Sequence, residues 1–377
     1  MKVILDVDAI SPPLTGVGRY TLELARGLLR SERVTDARFF ALGRWVDDPE
    51  SLLRAGTVAT LRRNIPFRRQ VRWGYRHFNQ WRFRRQIGQM ADYIYHAPHS
   101  HLMASTGAAV VTVHDLSFLR HPEFHLRERV EFWQREVPKT IARASHVITD
   151  SEFSRGEIME LLGVGADRVS AVHLGVDPSF QLRPAVACVE VLARHGLRYK
   201  GYTLIVATLE QRKNFQRLLQ AFESLPTQLR REFPLALAGD KGWLSGSIHA
   251  TVARLSAQGE AIMLGYVPEA DLPIIYSGAA VFAYPSLYEG FGLPVLEAMA
   301  SGVAVVSSNC SSIPEVAGET CLLVDPYSIE SIADGLRTLL SDEAGRRNYE
   351  MAGLARASTF SWNSCIDQTI DVYARLQ

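Results

Sequence analysis

The chain has 377 residues, which favours two domains of roughly 150–200 residues each over a single core. Apolar residues make up 47% and charged residues 21%, as in globular proteins, and the formal net charge of +1 argues against a nucleic-acid-binding protein. Asp6 and Asp8 interrupt the N-terminal run where a signal peptide needs an apolar core, and no stretch reaches the ~18 apolar residues of a membrane span. Four cysteines without CxxC spacing complete the pattern of a cytoplasmic protein with reduced thiols.

Short apolar runs alternate with helical periodicity, a pattern that predicts an α/β fold of parallel sheets flanked by helices. A strand at 3–7 is followed by a glycine loop and by a helix at 18–30, in which one face carries Leu22, Ala25, Leu28 and Leu29. Further strands are predicted at 93–97, 109–115, 146–150 and 169–175. Asp150 and Ser151 are candidate N-caps of the helix that follows.

A second series of strands is predicted at 203–208, 235–239, 262–267, 280–286, 303–308 and 321–325. Two such series predict two Rossmann-like domains, residues 1–180 and 181–359, and the amphipathic segment 360–377 is expected to return to the first domain as a helix. Ligands of open parallel sheets bind beyond the carboxyl ends of the strands. The loops after the strands are therefore the candidate sites.

The loop after the strand at 280–286 places Glu289 in a glycine-rich turn and Glu297 in or just after the first turn of the helix that Pro294 opens. The glycines let a ligand approach the backbone, and the free N–H groups of such a turn suit phosphate. Carboxylates accept hydrogen bonds from vicinal diols, so two of them around a phosphate-binding turn would suit a nucleotide sugar. The alternative is a capped core helix with two incidental acids.

The run EGFGLPVLEAMASGVAVV (289–306) resembles the Glu-x7-Glu motif of glycosyltransferase family 4, with Ala304 in place of the usual proline. The resemblance covers the whole chain. It implies a GT-B fold, in which two Rossmann-like domains face each other across a cleft, and a retaining transfer of a hexose from a nucleotide diphosphate sugar. It also implies that Glu289 contacts the transferred sugar, that Glu297 contacts the ribose, and that the donor is lined by Gly290, Phe291, Gly292 and Leu293.

The segment ATLEQRKN (207–214) follows the first strand of the second domain, and its adjacent Arg212 and Lys213 can neutralise a departing diphosphate. A solvated basic pair is the alternative. The family usually has an arginine where this chain has Thr208, so we expect Arg212 to be the phosphate-binding arginine.

In VHDLSFLRHPEF (113–124), His114 matches the family position that lines the sugar pocket and touches a distal hydroxyl. A satisfied core histidine is the alternative. Asp115 is expected to orient the imidazole or to face the acceptor.

Two other sets of loop residues belong to the predicted donor site. The GxGR run in PPLTGVGRY (12–20) is a weak signal by itself, but the resemblance implies that Gly16 and Gly18 approach the donor phosphates or the acceptor. The nucleobase is expected against the loops after two strands of the second domain, at Gly239, Asp240, Lys241, Tyr266 and Val267. These residues do not distinguish guanine from uracil.

The segment 62–86 interleaves nine arginines with six aromatic residues, and no acidic residue lies between Glu50 and Asp92. Arginine near anionic lipid contributes about 1 kcal/mol per charge, and aromatic side chains favour the interface. We predict contact with the inner face of the cytoplasmic membrane, with the acceptor or membrane side formed by Arg68, Arg69, Arg72, Trp73 and Arg76. The alternatives are single-stranded nucleic acid, which the overall charge disfavours, and a helix with core aromatics and solvated arginines.

Taken with the resemblance, these residues predict that mannose passes from GDP-mannose to a growing, lipid-linked glycan, as in bacterial O-antigen synthesis, with an α-linkage. TLEQRKN is similar to the TLEPRKN of bacterial mannosyltransferases, while GDP-rhamnose and UDP-glucose stay open as donors. No His/Asp cluster has metal-ligand spacing, which predicts metal-independent catalysis without a cofactor. The Glu-x7-Glu match argues against a nucleotide-sugar epimerase. A non-catalytic glycan- or lipid-binding module is disfavoured because the set of family residues is intact, namely His114, Lys213, Glu289 and Glu297.

Overall fold

The computed structural model describes residues 1–54, 78–88, 90–103, 107–239 and 246–377. The chain forms two compact units, one made of Met1–Gly175 together with Trp362–Gln377 and the other of Val176–Ser361. In the described part of the chain no helix is both long enough and apolar enough to cross a bilayer. All four cysteines are free thiols.

The first unit contains one sheet with the order β3-β2-β1-β4-β5-β6-β7, which is parallel except that β3 pairs antiparallel with β2. Its strands are β1 (Lys2–Asp6), β2 (Asp36–Ala41), β3 (Arg44–Val46), β4 (Tyr93–Ala97), β5 (Ala109–Thr112), β6 (His146–Thr149) and β7 (Val169–Ala171). Its helices are α1 (Gly16–Arg30), α2 (Ser51–Arg54), α3 (78–86), α4 (Ser117–Arg120), α5 (Arg127–Arg143), α6 (Glu152–Leu162) and, at the other end of the chain, α16 (Trp362–Ala374), with 3₁₀ turns at Pro122–Phe124 and Ala166–Arg168.

The second unit contains a parallel sheet with the order β10-β9-β8-β11-β12-β13. Its strands are β8 (Thr203–Val206), β9 (Leu235–Ala238), β10 (Ala261–Gly265), β11 (Val281–Tyr284), β12 (Ala304–Ser308) and β13 (Leu322–Val324). Its helices are α7 (Ala185–Arg194), α8 (Phe215–Glu223), α9 (Thr227–Glu232), α10 (Gly246–Ala257), α11 (Leu272–Gly278), α12 (Leu293–Ala300), α13 (Ile313–Ala317), α14 (Ile329–Ser341) and α15 (Glu343–Ala357), with a 3₁₀ turn at Gln211–Lys213.

Helix α1 begins at Gly16, two residues before the predicted start, because the Thr15 side chain accepts a hydrogen bond from the Gly18 N–H and caps it. Leu22, Ala25 and Leu28 are buried as predicted. The prediction for Leu29 was wrong, since that side chain is 59% exposed. Leu29 lies seven residues after the buried Leu22 and therefore on nearly the same side of the helix, so its exposure follows from its place next to Arg30, the last residue of α1, and not from its angle around the helix.

Helix α16 packs against α1 in the first unit, as the amphipathic pattern predicted. Its buried face repeats at helical spacing with Trp362, Ile366, Ile370 and Tyr373. Gly27 of α1 lets the two helices approach closely, because a Cβ there would come within 2.4 Å of Ile366 Cδ1. The chain therefore passes through the second unit before its last helix completes the first.

Candidate active site

The loops after β8 and β11 meet at the carboxyl edge of the second sheet, because these two strands are neighbours in it. The Leu287 N–H donates to the Arg212 carbonyl at 2.8 Å, and the Ser286 hydroxyl oxygen lies 3.0 Å from the same carbonyl oxygen. Asn214 adds two bonds from its amide nitrogen, to the carbonyls of Pro285 (2.9 Å) and Pro326 (2.6 Å). These bonds fix the segment that carries Arg212 relative to the segment that carries Glu289.

Glu289 is the centre of this arrangement and is only 6% exposed. Its Oε1 accepts from Lys213 Nζ at 2.5 Å and from Ser286 Oγ at 2.6 Å, and its Oε2 accepts from Arg212 Nη1 at 3.2 Å. Burial alone would raise the pKa of Glu289, but the charges of Lys213 and Arg212 and the hydrogen bonds from Lys213 and Ser286 lower it to about 2. The carboxylate is therefore ionised at neutral pH.

The two cations have further partners. Lys213 Nζ also donates to the Tyr284 hydroxyl at 2.6 Å, and Arg212 Nε donates to Glu210 at 3.0 Å. Burial lowers the pKa of Lys213, and the nearby Glu289 carboxylate offsets this only in part. Two cations and two carboxylates thus neutralise each other in a largely buried cluster, which we call the Glu289 cluster (Glu210, Arg212, Lys213 and Glu289).

Glu297 lies further along, in the second turn of α12, which carries Pro294 in its first turn as predicted. Gly292 precedes the helix with a φ of +110°, a conformation that an L-residue rarely adopts. Burial first, and then the charge of Glu297, raise the pKa of the buried Tyr276 hydroxyl. The two glutamates lie on either side of the turn in the chain, and after burial itself the charges of both raise the pKa of the buried Tyr284.

The other predicted donor residues are distributed as follows. Gly239, at the end of β9, donates its N–H to the Gly265 carbonyl at 2.8 Å and so joins the β9 loop to the β10 loop, where Tyr266 is exposed and Val267 is buried.

The Phe291 side chain, in the glycine-rich turn before α12, is buried edge-to-face on Phe360, with 5.9 Å between the ring centres. Gly290 is buried, and Leu293 is the half-buried first residue of α12. Asp240 and Lys241 lie outside the described residues.

In the first unit, His114 follows β5 and uses both nitrogens of its ring. Nδ1 lies 2.7 Å from Asp150 Oδ2, Nε2 lies 3.0 Å from the Pro98 carbonyl, and the ring meets Tyr20 edge-to-face at 5.2 Å. Burial lowers the pKa of His114, but the Asp150 carboxylate, assisted by hydrogen bonds, raises it above the usual value. Gly16 and Gly18 lie in the first turn of α1, the helix that also carries Tyr20.

The residue that orients His114 is Asp150 and not Asp115. Asp115 Oδ1 accepts from the Ser117 N–H (3.0 Å) and from the Ser117 hydroxyl (2.7 Å), which holds that carboxylate to its own chain segment. Of the two candidate N-caps of α6, Ser151 takes that role by accepting from the Ser154 N–H, and Asp150 does not. Asp150 is free to bind His114 because it ends β6, the neighbour of β5 in the sheet.

The sequence did not identify several residues that contact or adjoin the Glu289 cluster or His114, namely Tyr284, Ser286, Asn214 and Asp150. Their positions in the sequence were the one signal that could have indicated them, because each of these residues lies within two residues of the end of a strand or in the predicted basic loop. Among the described residues no three His, Cys, Asp or Glu side chains come together as a metal site. Metal independence stays a prediction.

Comparison with known proteins identifies the family of the chain. Residues 14–180 match the family described as Glycosyltransferase Family 4, and residues 195–356 match the one described as Glycosyl transferases group 1. The chain is 37% identical to the O-antigen chain mannosyltransferase B of Escherichia coli, and the alignment covers 100% of both proteins. The chain belongs to glycosyltransferase family 4. It is therefore a glycosyltransferase, as the Glu-x7-Glu motif predicted.

Solved structures show the same fold at low sequence identity. Sucrose-phosphate synthase from Thermosynechococcus elongatus has a TM-score of 0.75 at 18% identity, covering 100% of this chain and 99% of that one. Anabaena HepE in complex with UDP-glucose has a TM-score of 0.75 at 17% identity, covering 100% of both chains. These similarities confirm the predicted GT-B fold for this family 4 member.

Proposed function

We propose that this family 4 enzyme is a retaining α-mannosyltransferase that moves mannose from GDP-mannose to a growing, lipid-linked glycan. The name of the Escherichia coli relative supports mannose as the sugar and an O-antigen chain as the product. The observation that carries the proposal is the Glu289 cluster, in which a carboxylate suited to sugar hydroxyls lies against two cations suited to a diphosphate.

The cluster must change its partners when the donor binds. A diphosphate competes with Glu289 for Arg212 and Lys213, and each hydrogen bond that it takes releases a carboxylate lone pair for a sugar hydroxyl. Arg212 is the easier of the two to move, because its bond to Glu289 is longer (3.2 Å against 2.5 Å) and its side chain is more exposed (22% against 9%). We therefore assign Arg212 to the diphosphate and Lys213 to a bridging position between phosphate and Glu289.

The proposed reaction proceeds on one face of the sugar. The bond from the anomeric carbon to the diphosphate oxygen breaks, the acceptor oxygen bonds to the same face, and the acceptor proton passes to the leaving diphosphate. Arg212 and Lys213 stabilise the negative charge that develops on the leaving diphosphate. Cations that already contact the diphosphate before the bond breaks provide this stabilisation without any rearrangement of solvent.

The separate roles of the two glutamates are testable by substitution. Glu289→Gln should abolish sugar transfer while GDP affinity is kept or increased, because Arg212 and Lys213 are no longer neutralised. Glu297→Gln should instead weaken GDP binding itself, by about tenfold or more, as expected for a lost hydrogen bond to a charged group. Titration calorimetry with GDP and a transfer assay measure the two effects, and the exposed Glu343→Gln serves as the control. Equal loss of GDP affinity in both variants would contradict the assignment.

The donor itself is testable by thermal stability. GDP-mannose at 100 times its dissociation constant should stabilise the protein by about 2.7 kcal/mol, and GDP-rhamnose, UDP-glucose, ADP-glucose and TDP-glucose at that same concentration should stabilise it less. The HepE complex shows a relative in fold that binds UDP-glucose, which makes that donor the sharpest competitor. A preference for UDP-glucose would replace mannose in the proposal, and no shift with any donor would overturn it.

Membrane contact is the second part of the proposal, and helix α3 supports it. Phe83 and Asn79 are buried, while Phe78 (48% exposed) and Trp81 (53% exposed) stack at 6.3 Å on the outer face. Arginines cover both rings, Arg82 at 5.5 Å from Phe78 and Arg85 at 4.6 Å from Trp81. Exposed aromatic rings beside guanidinium groups suit the interface of an anionic membrane.

The remaining residues of the predicted membrane side, Arg68, Arg69, Arg72, Trp73 and Arg76, lie outside the described residues. Replacing those four arginines by Glu together with Trp81→Ala should reduce co-sedimentation with phosphatidylglycerol vesicles by at least tenfold, at about 1 kcal/mol per basic residue. Arg127→Glu, at a 92% exposed arginine of α5, is the control. Unchanged sedimentation of the multiple variant would remove this part of the proposal.

A further inference from the structure

The partners of His114 determine how many protons its ring carries. Nδ1 faces a carboxylate oxygen of Asp150, and Nε2 faces the carbonyl oxygen of Pro98. The Pro98 carbonyl oxygen can only accept, as can both oxygens of Asp150 in its carboxylate form, so beside an ionised Asp150 each ring nitrogen must donate. A neutral imidazole has one N–H, and two donated bonds require the imidazolium.

The surroundings of the His114–Asp150 pair determine how far a charged imidazole ring is favoured. Asp150 is 3% exposed, and among the described residues its second oxygen, Oδ1, has no hydrogen-bond partner. Burial raises the pKa of Asp150, and the charge and hydrogen bond of His114 are the main effects that oppose this rise, so the imidazolium is the main compensation for a buried carboxylate. Asp115 also favours the imidazolium, whereas protonation of His96 or His99 on β4 and its loop opposes it. The groups that face Asp150 from other elements are Tyr20, His173 and Cys365.

The two hydrogen bonds of His114 differ in strength. The bond to Asp150 is short, buried and between opposite charges, while the bond to Pro98 is longer and has a neutral acceptor. Charge-assisted bonds are roughly twice as strong as neutral ones. A ligand that competes for this ring will therefore take Nε2 and leave Nδ1 on Asp150.

We propose that Asp150 is a positioning residue, which holds His114 as an imidazolium by Nδ1 so that the Nε2–H passes from the Pro98 carbonyl to a hydroxyl oxygen of a bound sugar. This inference rests on the proposed function for the identity of the ligand. Asp150 itself does not touch the sugar. It fixes the orientation of the ring and keeps the second proton on Nε2. A neutral ring that donates to Asp150 through Nδ1 would have no proton left on Nε2 to donate to the sugar.

Nitrogen-15 NMR of histidine-labelled protein tests the charge state without any substrate. The His114 signals are assigned by their loss in His114→Gln. In the wild type both ring nitrogens should be protonated at pH 7, and in Asp150→Asn the pKa of His114 should fall by at least about one pH unit, as expected when an adjacent opposite charge is removed. Asp36→Asn, at the opposite end of the same sheet, should leave the His114 titration unchanged.

The pH dependence of kcat/KM then separates positioning from folding. In Asp150→Asn the ratio should fall steeply above the lowered pKa of His114 and recover toward the wild-type value at lower pH, and Asp150→Glu should restore part of the loss. A His114 that is neutral at pH 7 in the wild type would overturn the inference, as would an Asp150→Asn loss that is equal at every pH. Failure of the proposed function would appear differently, as no sugar transfer by the wild type at any pH, and would leave the NMR comparison valid.

Discussion

The pKa values of two histidines at neighbouring strands of the first sheet, His96 on β4 and His114 just after β5, shift in opposite directions because their partners differ. His114 bonds to the Asp150 carboxylate, which raises its pKa despite burial. His96 bonds instead to two hydroxyl groups, Tyr373 at 2.5 Å and Thr112 at 2.8 Å. Burial, with smaller effects from His114 and His99, lowers the pKa of His96 to about 3. A carboxylate compensates a buried imidazolium, whereas a hydroxyl group does not.

The neutral state of His96 makes the stability of the first unit depend on pH. In the unfolded chain the pKa of His96 is near 6.5, so between pH 6.5 and about 3 the unfolded state binds a proton that the folded state does not. The contribution is complete above pH 6.5 and is lost as the pH falls, at up to about 1.4 kcal/mol per pH unit. His96→Asn should reduce this slope in urea denaturation curves measured from pH 7 to 4. His249→Asn, in α10 of the second unit, should not, and an unchanged slope in His96→Asn would contradict the prediction.

At the scale of elements, the contact between α1 and α16 depends on the absence of a side chain at Gly27. Gly27→Ala should improve the helical propensity of α1 by up to about 1 kcal/mol, but its Cβ would lie 2.4 Å from Ile366, and such overpacking costs about 1–3 kcal/mol. We therefore expect a net loss of stability. Gly156→Ala is the matched control, because it lies in the interior of α6 with open space around it and should be neutral or stabilising. Thermal unfolding of both variants decides the point, and Gly27→Ala must be the less stable one.

The elements also show which parts of the structure can be inferred from sequence. Strands such as β4 and β11, in which nearly every residue is buried, were predicted within two residues of their ends. Strands β2 and β3 were not predicted, because only the last three residues of β2 are buried and β3 has three residues with none fully buried. A strand with so few buried positions has no apolar pattern to detect.

The same reasoning applies to the site. Glu289, Arg212 and Lys213 were found because they belong to contiguous motifs, and their mutual contacts follow from the adjacency of β8 and β11. Asp150 and Tyr284 could not be assigned from sequence, because the order of strands decides which strand ends are neighbours. Asp150 lies 36 residues from His114 in the chain and 2.7 Å from it in space.

At the scale of the whole molecule, each unit has its own sheet and its own core, but only the first depends on a helix from the far end of the chain. Deletion of 362–377 would remove the tyrosine partner of His96 and expose the apolar surface that Trp362, Ile366 and Ile370 cover. The second unit would keep every strand and helix that forms it. The truncated chain should therefore lose structure in the first unit alone.

Hydrogen exchange measured peptide by peptide tests this prediction. Amides of β1, β4 and β5 should lose most of their protection in the truncated chain, while those of β8, β11 and β12 should keep theirs, because local opening follows the stability of each cooperative unit. Arg33→Ala is the control, since it removes only the exposed ion pair between Arg33 and Asp371 at the same interface (2.8 Å), and such pairs contribute about 0–1 kcal/mol. Protection lost equally in both units would show that they unfold together, and protection kept in both would show that α16 is dispensable for the first.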